Sequence, residues 1–208
     1  HAGTVTQLST NFSGTLLASG GEDGTLILWD LTTSRSYHTR KDAHESAIQA
    51  LHVHPTQSIV ATGDQQGTII LWHLKTGKKL SELRRHKKAI SQVLFHPQHP
   101  FLISGSKDHQ IHLWNWKTGD LVKTLEGHQD AIHSLALHPE GKLLISAGDD
   151  LVIHQWDLEK GTLTGTLPFT YERIRQVGFS SNGRQILAAF FKSRVHTWNQ
   201  GPSIEKRS

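Results

Sequence analysis

Short apolar runs of strand length recur along the chain, each broken by turn-forming residues. The stretch from Gly127 to Asp157, GHQDAIHSLALHPEGKLLISAGDDLVIHQWD, shows the unit. Its runs AIHSLAL, KLLISA and LVIHQW are separated by Pro139-Glu140-Gly141 and by Gly148-Asp149-Asp150. Runs of this length, rich in Ile, Leu, Val and Trp and bounded by Gly, Pro and Asp, predict β-strands. From His128 to Trp156 is 28 positions. Counting back 28 from the other run-ending tryptophans reaches His1 for Trp29, His44 for Trp72, His86 for Trp114 and Thr170 for Trp198. The starts lie 43, 42, 42 and 42 residues apart.

Self-similarity at such a fixed period is the signature of a propeller or solenoid. The columns of the aligned repeats have physical content. Four positions after the start stand Val5, Ile48, Ile90, Ile132 and Ile174; seven after it stand Leu8, Leu51, Val93, Leu135 and Val177. Three before the tryptophan stand Leu26, Ile69, Ile111, Ile153 and Val195. An all-apolar column predicts a side chain buried in every copy. The second strand is apolar on consecutive residues (Leu16-Leu17-Ala18, Leu143-Leu144-Ile145), which predicts a sheet covered on both faces.

The segments GGEDGTLILWDL, GSKDHQIHLWNW and AGDDLVIHQWDL carry a family resemblance. The chain resembles the WD-repeat (Trp-Asp repeat) β-propellers over essentially its whole length, five times in register. The resemblance implies an all-β fold of five four-stranded antiparallel blades. Repeat boundaries fall at about 1–43, 44–85, 86–127, 128–169 and 170–208, read as one domain. In the fifth repeat the position of the outer strand falls at Glu205 to Ser208.

The resemblance also implies a structural hydrogen-bond relay within each blade. It runs through His1, Ser19, Asp23 and Trp29; His86, Ser104, Asp108 and Trp114; and His128, Ser146, Asp150 and Trp156. Repeat two offers His44, Thr62 and Trp72, but Gln66 stands where aspartate is expected. Repeat five has Thr170, Ala188 and Lys192 in place of His, Ser and Asp, and is expected to be the weakest blade or one remodelled for contact. A buried indole, hydroxyl, imidazole and carboxylate each need a partner, and a closed relay satisfies them together. The same residue types make a hydrolase triad. Three identical copies and the absence of a G-x-S-x-G elbow argue for structure instead.

Composition narrows the picture. No run of 18 apolar residues predicts a membrane span, and no charged-then-apolar leader is visible. The chain has no cysteine, which suits a reducing, cytoplasmic setting. It also lacks methionine, even at position 1, so it reads as a piece of something larger. The net charge is +4, and sixteen histidines make it sensitive to pH. His52 with His54, or His109 with His112, form the candidate metal pairs. Histidines that recur before proline (His54, His96, His138) read as turn chemistry, so no metal or cofactor is expected.

The expected function is a non-catalytic platform for a protein or peptide partner. In this family the partner is held at the top face, by side chains just after the repeat start and just before the turn aspartate. Here those are Glu22, Glu45, Gln65, Lys87, Lys107, Gln129, Asp149, Tyr171, Arg173 and Phe191. Two aromatics and an arginine in the fifth repeat are residue types enriched at hot spots. The alternative is an anionic ligand, either nucleic acid or an acidic or phosphorylated partner, held by the basic stretch 75–88. Nucleic acid is disfavoured because no aromatics interleave the charges. The Phe-Arg-Arg-Gly motif of phosphoinositide-binding propellers is also absent. Three arrangements stay open: a tight five-bladed ring, an open arc of a larger propeller, or an arc completed by another chain. An open arc would expose both terminal faces and invite self-association.

Overall fold

The computed structural model describes residues 1–169, 173–191 and 195–199, in five antiparallel sheets whose strands pair in chain order. The first sheet is β1 (Val5–Thr10), β2 (Leu16–Gly21), β3 (Leu26–Asp30) and β4 (Arg35–Arg40). The second is β5 (Ile48–Val53), β6 (Ile59–Asp64), β7 (Thr68–His73) and β8 (Lys79–Arg84). The third is β9 (Ile90–Phe95), β10 (Phe101–Ser106), β11 (Ile111–Asn115) and β12 (Asp120–Leu125). The fourth is β13 (Ile132–Leu137), β14 (Leu143–Gly148), β15 (Val152–Asp157) and β16 (Thr162–Pro168). The fifth holds β17 (Ile174–Phe179), β18 (Gln185–Phe190) and β19 (Val195–Asn199). The outer-strand position of the fifth repeat, like Thr170, Tyr171 and Lys192, lies outside the described residues. Among the described residues no helix is long and apolar enough to cross a membrane.

All five sheets share one register. Leu8 faces Ser19, Leu51 faces Thr62, Val93 faces Ser104, Leu135 faces Ser146 and Val177 faces Ala188. Each also shifts register near the start of its first strand, between Val5 and Gln7 in the first sheet and between Ile132 and Ser134 in the fourth. This bulge explains a feature of the columns. Residues three apart on a regular strand point to opposite faces, yet the columns at four and seven are both apolar. One extra residue between them turns both to the same side. The inserted residues are Thr6, Gln49, Ser91, His133 and Arg175, polar in every repeat.

Neighbouring sheets stack face to face. In each junction the trailing face of one blade meets the leading face of the next. Ala18, Leu26 and Leu28 of the first pack on Ile48, Leu51, Val60 and Trp72 of the second. The pattern repeats between the third and fourth, where Ile103 and Ile111 meet Ile132, Leu135 and Trp156, and between the fourth and fifth, where Ile145 and Ile153 meet Ile174 and Val177. Glycine on the trailing face permits the close approach: a Cβ on Gly63 would stand 2.6 Å from Ile90 Cγ2. Polar pins cross the same seams. The His96 and His138 rings accept backbone N–H bonds of their own turns at Nδ1, which leaves Nε2–H to donate to the Gly141 and Gly183 carbonyls of the following blade, at 3.0 and 3.2 Å.

The expectation that every apolar column is buried in every copy fails at the two ends. Leu51, Val93, Leu135 and Val177 are at most 7% exposed, but Leu8 in the same column is 62% exposed and Val5 46%. Val195 is 68% exposed, whereas Leu26, Ile69, Ile111 and Ile153 are fully buried. The reason is geometric. Successive sheets contact one another, but among the described residues no contact of comparable extent joins the fifth sheet to the first. Among the described residues, the five sheets form an open arc.

Position in the arc sets the worth of identical side chains. Leu135→Ala should cost about 2–5 kcal/mol of unfolding free energy, because it leaves a cavity in a packed junction. Leu8→Ala should stay within about 0.5 kcal/mol of the parent in dilute solution. Urea unfolding of both variants checks this; equal costs would contradict the open arc.

Candidate functional site

The relay residues converge within four of the sheets. Trp29, Trp72, Trp114 and Trp156 donate their indole N–H to the hydroxyls of Ser19, Thr62, Ser104 and Ser146 at 3.0, 2.8, 2.9 and 2.8 Å. The same hydroxyls lie 2.8, 2.7, 2.8 and 2.6 Å from Nε2 of His1, His44, His86 and His128. Nδ1 of each ring faces a carboxylate: Asp23 at 3.4 Å, Asp64 at 3.0, Asp108 at 2.9 and Asp150 at 2.7. Indole can only donate and carboxylate can only accept, which sets the direction for a neutral ring. Nδ1–H donates to the aspartate, and the hydroxyl donates to Nε2.

The second sheet corrects the sequence expectation. Gln66 is exposed and takes no part; Asp64, two positions earlier, supplies the carboxylate. Its side chain starts from a position aimed into the relay. In the first sheet a Cβ on the equivalent Gly21 would lie 2.6 Å from both Asp23 Oδ1 and His1 Nδ1. Asp64 also accepts the backbone N–H of Gln66 and Thr68, at 2.9 and 2.8 Å, and so holds the turn.

The relay carboxylates reach past the interior to the rim. Asp23, Asp108 and Asp150 accept the backbone N–H of Ala2, Lys87 and Gln129 at 2.8, 2.8 and 3.0 Å, and the Lys87 and Gln129 side chains are exposed. A second clasp recurs in all five sheets. The backbone N–H groups of Glu22, Gln65, Lys107, Asp149 and Phe191 donate to the carbonyls of Thr4, Ala47, Ala89, Ala131 and Arg173, at 2.9 to 3.3 Å. These bonds bring eight of the ten sequence-predicted partner residues to one end of the sheets, and Glu45, next in sequence to the relay residue His44, stands at the same end. The tenth, Tyr171, lies outside the described residues.

Not all nine are equally available. Asp149 is half-buried and engaged: its Oδ2 lies 2.9 Å from His133 Nε2, and its Oδ1 lies 3.6 Å from Nε of Arg173 in the next blade. Phe191 is 62% exposed, and the Arg175 guanidinium stands 5.9 Å from its ring centre. His133 and Arg175 were absent from the sequence-predicted set. Their signal was the polar column between two apolar ones, which the bulge turns out of the core.

The basic stretch 75–88 is not one patch. Lys75 and Lys78 belong to the turn before β8, and Arg85, Lys87 and Lys88 to the loop after it. The six-residue strand between them spans about 20 Å. Lys79 and Arg84 both pair with Glu82.

The model of the family described as "WD domain, G-beta repeat" matches residues 1–30, 35–73, 77–115 and 119–157, more than half of the chain. The chain belongs to the WD40-repeat family. After the first, each matched segment begins on the outer strand of one blade or in the turn before it, and ends at the third strand of the next, so the WD40 repeat runs out of phase with the sheets. The fifth sheet lies beyond the matched residues. Ribosome biogenesis protein ERB1 of Chaetomium globosum is 37% identical over 57 residues, 27% of this chain and 7% of that protein. Ribosome biogenesis protein erb1 of Neosartorya fischeri is 38% identical over 55 residues, 26% of this chain and 7% of that protein. The chain thus spans about 7% of the length of these curated relatives.

WD40-repeat proteins are generally non-catalytic scaffolds for protein–protein interaction. The relay geometry agrees with a structural role here. Ser104 and Ser146 are fully buried, and each hydroxyl already meets an indole and an imidazole, so no substrate reaches the oxygen. Among the described residues, the donor atoms of His128, Asp150 and His154 lie within 4.8 Å of one another, close enough to hold an ion. Bonds already made account for the cluster: His128 uses both ring nitrogens in the relay, and His154 Nδ1 bonds Thr166 at 2.8 Å. Of the candidate metal pairs, His52 Nδ1 accepts the Phe95 N–H, His54 Nδ1 accepts two turn N–H groups, and His112 Nδ1 bonds Thr124.

Burial governs the titration of these groups. It depresses His52, His112 and His154 to about 4; the neighbouring relay imidazoles His86 and His128 add to the effect on the latter two. Burial alone would raise Asp64, Asp108 and Asp150. The relay imidazole and backbone N–H bonds outweigh it and hold all three below the ordinary carboxylate range.

Two outcomes follow for stability. Ser146→Ala leaves the Trp156 N–H and the His128 ring without their shared partner and should cost about 1–3 kcal/mol, whereas Ser146→Thr, the residue the second blade uses, should retain most of it. Thermal melting of both variants reads the difference. Between about pH 6.5 and 4 the unfolded chain binds protons at His52, His112 and His154 that the folded chain refuses. Stability therefore falls as pH drops, by about 1.4 kcal/mol per pH unit for each histidine. The aspartates add to the loss only below their ordinary value, where their depressed folded pKa values begin to be crossed. The double variant His112→Ile, His154→Ile, which copies Ile27 and Ile70 of the first two blades, should flatten the slope by about two protons' worth. A melting temperature independent of pH in the parent would contradict the assignment.

Proposed function

We propose that this WD40 arc recognises a protein or peptide partner at the rim formed by the relay loops, with charge setting the orientation. The observation that carries the reading is the repeated clasp. One backbone bond per sheet fixes the residue before each turn aspartate, or its counterpart, so rim side chains project from a rigid base at little entropic cost. The rim is divided by sign. Glu22 and Glu45 are exposed on the first two blades, and Lys87, Lys88 and Lys107 on the third. Arg175 and the exposed Phe191 ring lie together on the fifth. An extended segment with acidic residues over the third blade and an apolar or aromatic residue near Phe191 would meet complementary chemistry at both points.

The ERB1 relatives are named for ribosome biogenesis, and the similarity to them covers little more than one repeat. It supports the repeat class and gives no preference among partners. The second reading, anion capture by the whole stretch 75–88, is disfavoured by the separation of its two ends.

The test is binding of fluorescent acidic peptides containing one aromatic, selected from a peptide library on the parent chain. Lys87→Glu with Lys107→Glu at the rim should weaken binding at least tenfold. Lys75→Glu with Lys78→Glu at the far end of β8 should leave it unchanged, with melting temperatures preserved in both. Loss of binding only in the far-end variant would reverse the assignment.

A further inference from the structure

We infer that the outer flank of the seam between the first two blades is an anion site, a groove that takes a compact ligand carrying neighbouring phosphate groups. The outer strands carry the first sign of it. In the second, third and fourth sheets the outer strand sets a leucine opposite the apolar column three before the tryptophan. Leu83 stands opposite Ile69, Leu125 opposite Ile111 and Leu167 opposite Ile153, and all three leucines are buried. The first sheet has Arg40 opposite Leu26, and Arg40 is exposed. A charged guanidinium cannot take a leucine's place inside a dry seam, so this position opens to solvent where its counterparts are closed.

The second blade anchors the arginine. Arg40 Nε–H donates to the Gly77 carbonyl, in the turn before β8, at 2.9 Å. A Cβ on Gly77 would stand 3.2 Å from that nitrogen, so glycine permits the approach. Tyr37 and His38 of the same strand donate to the carbonyls of Leu74 and Lys75, at 2.6 and 3.1 Å. Strand and turn are thereby fixed against each other, and the bond to Gly77 uses one of the five guanidinium N–H donors.

Between strand and turn lies a groove of about 610 Å³, lined by Arg40, Lys41, Lys78 and Lys79 with one carboxylate residue, Asp42. Four cations against one carboxylate give +3 here, on a chain whose net charge is +4. Among the described residues only Lys79 of the four is in an ion pair, with Glu82. Arginine offers phosphate a planar fork and lysine a point charge, and a concave site of this size holds a small ligand. The groove is also bounded. At Asp42 and Lys79 it passes into a second cleft that adds Glu45, Asp64 and Glu82 against Arg84. A nucleic-acid strand, charged at every phosphate, would run onto those carboxylates, whereas a compact polyphosphate stops short of them. None of the four cations belongs to the rim, so the site is independent of the partner reading.

Isothermal titration calorimetry of the full chain at physiological ionic strength tests the site, with tripolyphosphate and inorganic monophosphate as probes. The parent should bind one tripolyphosphate, about tenfold or more tighter than monophosphate. Arg40→Leu, the residue used in the next three blades, should match or exceed the parent melting temperature and weaken tripolyphosphate about tenfold. Lys41→Gln with Lys78→Gln should weaken it to a similar degree. The rim variant Lys87→Glu with Lys107→Glu should change it less than about twofold, because salt confines each charge to its surroundings. Co-sedimentation with phosphatidylcholine vesicles containing phosphatidylinositol bisphosphate separates the two sources of such phosphates. Arg40-dependent capture that tripolyphosphate displaces assigns the groove to a lipid headgroup; tripolyphosphate binding without capture assigns it to a free polyphosphate. A parent with no saturable tripolyphosphate binding overturns the proposal, and so does an Arg40→Leu variant that binds as the parent does.

Discussion

The constraint behind this structure is that each sheet is apolar on both faces. A sheet with one wet face can close a core against a single partner; these sheets need a neighbour on each side. Leu26 and Ile48, or Ile111 and Ile132, are buried only because successive blades bring them together. Burial at about 25 cal/mol per Å² of apolar area makes each seam worth far more than any single hydrogen bond within it. The bulge in the first strand of each sheet and the glycines of the trailing face both serve the seam. One aligns two apolar columns, and the other lets an isoleucine of the next blade come within contact.

The relay works inside this frame. Stacking the sheets removes Trp, His, Ser and Asp side chains from water, and the chain of donors and acceptors then restores what dehydration took away. Its variation shows which parts are fixed by geometry. Thr62 replaces serine without loss, since only the hydroxyl matters, and Asp64 replaces an aspartate two positions later because its Cβ already points at the imidazole. In the fifth sheet Ala188 offers no hydroxyl; the Phe169 and His196 rings pack against Trp198, and the Phe190 ring packs against both of them. Among the described residues, packed rings stand at the place that the relay fills elsewhere.

Much of this was legible in the sequence because repetition converts one weak signal into five. The 42-residue period, the tryptophan column and the His-to-Ser-to-Asp spacing set the strands, their register and the relay of three blades. What escaped had physical reasons. A bulge leaves no composition of its own; it shows only as two apolar positions three apart, which a regular strand does not allow on one face. The substitute carboxylate at Asp64 depends on where a Cβ points, which spacing does not record. The separation of Lys75 and Lys78 from Lys87 and Lys88 arises because a strand carries neighbouring charges to opposite ends of the sheet. Burial at Leu8 and Val195 was misjudged because a column reports what its neighbours cover, and among the described residues the first and fifth sheets each meet one other sheet.

The same carboxylate that satisfies a buried imidazole also holds the backbone N–H of the next rim residue, as Asp108 does for His86 and Lys87 and Asp150 for His128 and Gln129. This double use separates specificity from stability. The rim side chain itself touches neither bond, so lysine or glutamine can stand there with no change inside the sheet. The aspartate has no such freedom: removing it leaves a buried ring unpaired and releases the loop that presents the partner-facing residue. A scaffold built this way can vary what it recognises at one position per blade, while the chemistry that fixes the position stays the same from blade to blade.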